Sequence, residues 1–368
     1  MNVPRAIRTF SGACVLAAAG AACSGSPATN PNPAPLRPAA FARAASALVR
    51  VHGPLLPPAR TIYLGAFVAP NPNPQPAQQI VDTANFESQI GRKLAVNLHY
   101  HLWSDTLAGL GEQDDVNNGR IPMISWSCVD SNKTGVKDAD VAAGLYDSAI
   151  AKRAAALANL KSRVFLRYKW EMNLVYNPQC ADPAHDIHDP YGKPRYSPIE
   201  YVAAWQHIRQ IFLRNGATNV VWLWNPSGNG EDPWFYYPGD DQVDWVGFDW
   251  YDTFDQYFET IYSDTTNPGG HPVWTYPYFA ARFPRKPLMI GETGAEQNFQ
   301  TNYFNGDASD KSALQALEQS FPNVKAYVYW DSKSVRGNFQ ILAPALPAFT
   351  AFATDPYMSG HAQPASAR

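Results

Sequence analysis

Glu171, in LRYKWEMN, and Glu292, in LMIGETG, each follow a short apolar run of the chain. Carboxyl groups do most chemistry in pairs, because one can be held protonated to donate while the other stays ionised to attack. Breaking a glycosidic bond with retention of configuration needs such a pair, with the carboxyls about 5–5.5 Å apart. A lone glutamate at the end of an apolar run serves a local ion pair equally well. Two of them, with aromatic residues on the neighbouring runs, carry more weight.

Eight β-like apolar runs are present to position them, at 63–68, 94–103, 121–128, 164–173, 220–225, 245–251, 288–294 and 325–330. Helical stretches intervene, most clearly at 142–160, 198–214 and 312–320. Ser197-Pro198 supplies an N-cap and a first-turn proline to one of these, and Asn215-Gly216 closes it. Strand and helix in alternation predict an α/β fold, a (β/α)₈ TIM barrel forming a single catalytic domain over 59–355, with a tail at 356–368.

In such a barrel, chemistry sits at the C-terminal ends of the strands. Polar and aromatic residues gather at those ends: His99, Tyr100 and His101; Trp126, Ser127 and Cys128; Glu171 and Asn173; Trp224 and Asn225; Asp249, Tyr251 and Asp252; Glu292; Trp330 and Asp331. Glu171 follows the fourth run and Glu292 the seventh, so the two are expected to face each other across the barrel mouth.

The 368 residues carry a net charge of -3 and offer no basic stripe, which argues against nucleic acid as a partner. Aromatic residues make up 13% of the chain, including 11 Trp and 19 Tyr. Their flat apolar faces suit sugar rings, and suit a Trp-rich core equally.

The first residues read as an export signal. Arg5 and Arg8 precede an apolar stretch of small residues at 10–22, too short to span a bilayer, followed by Cys23-Ser-Gly-Ser. Residues 1–23 resemble a bacterial lipoprotein signal with Cys23 as the lipidated residue, although Gly20 stands where Leu is usual and ordinary cleavage is the alternative. Residues 24–58, rich in Pro and Ala, read as a linker, with a short helix conceivable at 39–51. The expected location is therefore extracellular, periplasmic or lipid-anchored at the envelope. Cys128 and Cys180 are then a candidate disulfide, against two free thiols.

The stretches LRYKWEMN, YVAAWQHIRQIFLRNGATNVVWLWNPSG, YYPGDDQVDWVGFDWYD, KPLMIGETGA and AYVYWDSK resemble the β-mannanases of glycoside hydrolase family 26, within a clan of retaining (β/α)₈ glycosidases. The likeness covers roughly 160–333, and YYPGDDQVDWVGFDWYD is its most specific part. The resemblance implies Glu171 as acid/base and Glu292 as nucleophile. It implies Tyr251 as hydrogen-bond donor to the nucleophile, Trp330 beneath the sugar at the cleavage point, and Arg167 fixing charge within the barrel. The implied activity is endo-hydrolysis of a β-linked polysaccharide, β-1,4-mannan first, without a cofactor or metal and by a monomer. Two positions depart from the family: Trp170 where His is usual before the acid, and Lys169 where an apolar residue is usual. Alternation puts Lys169 on the face of Glu171, where it would lower the carboxyl pKa, point at a substrate carboxylate or pair with Asp249.

His99, His101, Trp126, Trp224, Asn225 and Trp330 are the candidate sugar-binding residues. His99 and His101 share a face, and core packing and a metal are the competing readings; the later runs lack the further histidines a metal would need. Trp126 suits core as well as cleft, and Asp240-Asp241 suits a turn better than half a calcium site. Two other functions fit the same residues: a non-catalytic polysaccharide-binding lipoprotein, and a related glycosidase or transglycosylase acting on β-glucan, xylan or an exopolysaccharide.

Overall fold

The apolar runs become eight parallel strands: β1 (Ile62–Ala69), β2 (Val96–His101), β3 (Ile121–Trp126), β4 (Val164–Tyr168), β5 (Val220–Trp224), β6 (Trp245–Asp252), β7 (Leu288–Ala295) and β8 (Val324–Ser334). Each pairs with the next, and β1 pairs with β8 through seven residues from Tyr63↔Ala326 to Ala69↔Ser332, so the sheet closes into the (β/α)₈ barrel. The computed structural model describes residues 55–71, 73–132, 134–174, 197–267 and 270–360. The export signal with Cys23, the linker as far as residue 54, the helix at 39–51 and Cys180 lie outside the described residues.

Between the strands run α1 (Pro76–Ile90), α2 (Leu110–Asn117), α3 (Asp138–Ala142), α4 (Asp147–Asn159), α5 (Pro198–Arg214), α6 (Phe258–Ser263), α7 (Tyr276–Arg282), α8 (Gln300–Asn305), α9 (Ala313–Gln319) and α10 (Leu346–Thr354). The cap chemistry of α5 is as the sequence predicts: Ser197 accepts from the backbone N–H of Glu200, and Gly216 takes φ +77° just beyond the last turn. The helix predicted at 142–160 is α4, which starts later, at Asp147; Ala142 instead ends α3, and Gly144, with φ +85°, lies between the two.

Strand alternation divides the buried residues into two layers. Tyr63, Phe67, Leu98, Met123, Phe165, Val221, Leu223, Trp245, Met289 and Val328 fill the barrel. Their sequence neighbours, among them Ile124, Leu166, Trp222, Phe248 and Tyr327, pack outward against the helices. Fully burying side chains of this size contributes roughly 1.5–3 kcal/mol each. The interior layer stops before the C-terminal strand ends, where Arg167, Asp249 and Glu292 replace apolar residues.

Two irregularities aim the side chains at those ends. Met289 faces inward, so strict alternation would turn Glu292 outward. The pairing of β6 with β7 skips one residue, passing from Phe248↔Ile290 to Asp249↔Glu292, and this bulge at Gly291 returns Glu292 to the interior. Gly291 has no alternative there, since a Cβ would lie 1.9 Å from Oδ1 of Asn225. The second irregularity follows β4, where Lys169 and Glu171 adopt φ of +47° and +55°. Residues other than glycine rarely take this conformation, at a cost of order 1–2 kcal/mol each.

Candidate active site

Glu292 lies 4% exposed at the end of β7 and takes hydrogen bonds from three elements. Tyr100 on β2 donates to Oε1 at 2.6 Å, and Tyr251 on β6 donates to Oε2 at 2.8 Å. Arg167 on β4 donates Nη2 to Oε1 as well. Donors of this kind favour an ionised carboxylate and fix both its oxygens in space. Arg167 is itself fully buried, with Nη1 3.2 Å from Oδ2 of Asp249 and Nε 2.6 Å from Oγ of Ser125.

Glu171 meets a different environment. Burial pushes its carboxyl up, the charge of Glu292 pushes further, and the opposing pull of Arg167, Arg336 and a Ser227 hydrogen bond leaves it at about 7. Its backbone N–H donates to the carbonyl of Asn225 at 2.8 Å. Asn173 then ties the two adjoining loops, donating Nδ2 to the Ser227 carbonyl at 2.9 Å and accepting from the Ser227 N–H at 2.8 Å. The strained turn after β4 is thereby held against the loop after β5. One carboxyl is thus held by three hydrogen-bond donors while the other is raised toward neutrality by burial and its neighbour's charge.

Both glutamates line one cleft of about 1070 Å³. Phe67, Tyr100, Trp170, Tyr251, Trp330 and Phe339 supply its aromatic surfaces. Trp330 stacks on Phe67 with ring centres 5.8 Å apart and a 20° tilt, and meets Tyr251 edge to face at 6.1 Å. β8 continues past Trp330 and turns back through β9 (Gly337–Asn338), and this hairpin carries Arg336, a cleft-lining residue.

The remaining predicted residues divide. His99 and His101 both line the cleft. His99 has its ring nitrogens engaged, Nε2 2.5 Å from Oδ2 of Asp115 and Nδ1 3.2 Å from Oε1 of Gln79. Burial alone would lower the His99 pKa, but the Asp115 carboxylate outweighs it and raises it. His101 meets Oε1 of Glu112 at 2.7 Å, and Glu112 falls to about 2 as this hydrogen bond and the nearby histidines overcome its burial. Among the described residues no group of three or more His, Cys, Asp or Glu side chains is placed to hold a metal.

Trp126, Trp224 and Asn225 do not line the cleft. Trp126 and Trp224 are outward positions of β3 and β5, fully buried under the helices; Trp126 stacks on Trp103 with ring centres 4.6 Å apart. The Asn225 side chain is sealed beneath the site against Gly247 and Gly291. Lys169 is a further correction. Its left-handed backbone ends the alternation, so its ammonium leaves the barrel and pairs with Oδ2 of Asp138 at 2.7 Å. The expected pairing with Asp249 is replaced by this one. Cys128 is buried and disulfide-bonded, while the partner expected from sequence, Cys180, lies outside the described residues.

Tyr100 was missed by sequence reasoning, although it sits between the two histidines that were singled out. The signal was available: it occupies the inward register of β2 two residues beyond Leu98, which faces the barrel interior.

Residues 191–311 match the family model described as glycosyl hydrolase family 26. Endoglucanase H of Acetivibrio thermocellus is 29% identical over 219 residues, 55% of this chain; the chain spans 22% of that relative's length. Among solved structures, a GH26 β-mannanase from Bacteroides ovatus superposes with a TM-score of 0.55 at 16% identity, covering 82% of this chain and 90% of that one. A Bacillus subtilis mannanase gives 0.54 at 19% identity, covering 81% and 86%. The GH26 domain of a Prevotella bryantii endo-β-mannanase/endo-β-glucanase gives 0.54 at 14%, covering 82% and 90%. At these identities the structures attest the shared fold.

Proposed function

We propose that this chain, whose residues 191–311 match the glycosyl hydrolase family 26 model, is a retaining, endo-acting glycoside hydrolase of β-linked polysaccharide. The observation that carries the reading is the unequal treatment of two glutamates in one cleft. Glu292 receives hydrogen bonds from Arg167, Tyr100 and Tyr251, whereas for Glu171 desolvation and the Glu292 charge outweigh the pull of Arg167 and Arg336 and raise it to about 7.

Glu292 attacks the anomeric carbon and forms a glycosyl ester while Glu171 protonates the departing glycosidic oxygen. Glu171, now a carboxylate, takes a proton from water, and the resulting hydroxide displaces Glu292 from the sugar. The two inversions return the original configuration. Trp330, at the floor beside Tyr251, offers the apolar face against which the reacting sugar rests. No step requires a cofactor.

β-1,4-mannan is the first substrate to test, since the similar solved structures are described as mannanases. A β-glucan is the second reading, favoured by the relative described as an endoglucanase. Reducing-sugar release from mannan, glucomannan, mixed-linkage glucan and xylan, by the wild type and by Glu292→Ala, tests the reading. Release from one polymer that the variant abolishes supports it and identifies the substrate. Binding of a polymer without release by the wild type favours a carbohydrate-binding protein on the same barrel.

A further inference from the structure

Phe254 follows β6, lines the cleft that holds Glu171 and Glu292, and is 66% exposed. It belongs to neither buried apolar cluster of the described residues. Leaving a phenyl ring in water forfeits the free energy that burial would supply, so an exposed ring on a cleft wall is informative in a way that a buried one is not.

The backbone beneath the ring is built to hold it there. Asp252, fully buried at the last position of β6, accepts from the N–H of Phe254 at 3.0 Å and from the N–H of Gln256 at 3.1 Å with the same oxygen. Asp255 completes the turn with φ +55°, and its carboxylate accepts from Nδ2 of Asn302 at 3.2 Å. A tight turn pinned from two sides presents the ring without the entropy cost of ordering a loose loop on binding. Thr253 and Asn267 line the same cleft and carry a hydroxyl and an amide group.

We propose that Phe254 is the platform of a separate sugar-binding subsite, on which a pyranose ring of the polysaccharide chain stacks away from the bond being cleaved. The inference rests on the glycoside hydrolase reading and extends it. The cleft is also lined by Asp105 of the loop after β2 and by Leu110 and Glu112 of α2, so it is walled by other elements besides the β6 loop. Phe254 lies three residues beyond Tyr251, which touches Glu292, so a chain threaded through the cleft would meet its ring beyond the sugar held at the glutamates. A pyranose fits this surface because it offers an apolar C–H face to the phenyl ring and equatorial hydroxyls to Thr253 and Asn267.

The test is binding of soluble glucomannan and of defined β-1,4-linked gluco- and manno-oligosaccharides, measured in the Glu292→Ala background so that turnover plays no part. Adding Phe254→Ala should weaken the affinity for glucomannan roughly three- to tenfold, as expected for one lost stacking contact. The loss should grow from short to long oligosaccharides, and Phe254→Trp should restore affinity. Equal affinity with and without the phenyl ring, a loss independent of chain length, or no binding by either protein would overturn the subsite. Since no hydrolysis is measured, failure of the catalytic reading leaves this result intact and is seen separately in the reducing-sugar assay.

Discussion

Tyr251 donates its hydroxyl to Oε2 of Glu292 at 2.8 Å, the oxygen left over by Arg167 and Tyr100, which both address Oε1. Each oxygen of the carboxylate is therefore anchored, and rotation about the last side-chain bond is blocked. Removing the Tyr251 hydroxyl frees one oxygen without changing the charge of the site. Tyr251→Phe should lower kcat roughly 10- to 100-fold, the worth of one hydrogen bond to a charged group. Steady-state kinetics on the polymer identified by the substrate panel would check this, and kcat within twofold of the wild type would show that Arg167 and Tyr100 suffice.

The pH profile should report Glu171. The acid must be protonated at the first step, so kcat/KM should decline as pH rises through about 7. Burial and the Glu292 charge raise Glu171, while Arg336 on the β8–β9 hairpin lowers it. Arg336→Gln removes a cation that favours the carboxylate, so the alkaline limb should move to higher pH. The shift should shrink as salt is added, because Arg336 is exposed and its field is screened. A limb that stays in place would assign the titration to another group.

Asp249 offers a test of where protons lie beneath the site. Its Oδ1 and the Oδ1 of Asn225 both crowd the buried space beside Gly291, and the Asn225 side chain hydrogen-bonds the Asp249 carboxyl. If Asp249 holds a proton, it can share it with Asn225 across this space. Burial and the Glu292 charge push Asp249 in that direction, well above the usual carboxylate range. Asparagine has the same shape as the protonated acid and can donate to Asn225 while accepting from Arg167. Asp249→Asn is therefore expected to retain activity within about fivefold of the wild type. Asp249→Ala, which leaves the buried Arg167 with Glu292 as its one remaining carboxylate partner, is expected to lose about 100-fold or more. An equal loss in both variants would mean that Asp249 acts as an anion.

The barrel was legible because its strands are apolar runs of ordinary length separated by helices with clear caps, as at Ser197 and Gly216. The site was legible where side chains follow strand periodicity: Arg167 and Tyr251 occupy the inward register that two-residue alternation assigns them. It was not legible where the backbone breaks that rule. Lys169 was placed beside Glu171 by alternation, but the left-handed turn after β4 sends it to Asp138. Glu292 reaches the interior only through the bulge at Gly291, which no pattern of apolar residues reveals. Trp126 and Trp224 stood among the candidate cleft residues, with core an equal reading for Trp126. Counting two residues on from Ile124 and Trp222 places both on the outward face, so their register carried the answer that their proximity to the site obscured.

Glu171 should also be measurable through stability. Its folded carboxyl sits at about 7, above the ordinary 4.5, because burial and the Glu292 charge disfavour the anion. Between those two values the unfolded chain releases the proton and the folded protein keeps it. The unfolded state thus gains relative to the folded state as pH rises through this window, and the cost to the fold is complete above about 7. Gln cannot titrate and preserves the size of the side chain. Glu171→Gln should melt close to the wild type below pH 4.5 and a few degrees higher above pH 7, with the gap opening in between. Thermal unfolding of the two proteins across that range checks the sign. A variant less stable than the wild type at alkaline pH would mean that the Glu171 anion is stabilised by its surroundings, which would remove the basis for its role as the acid.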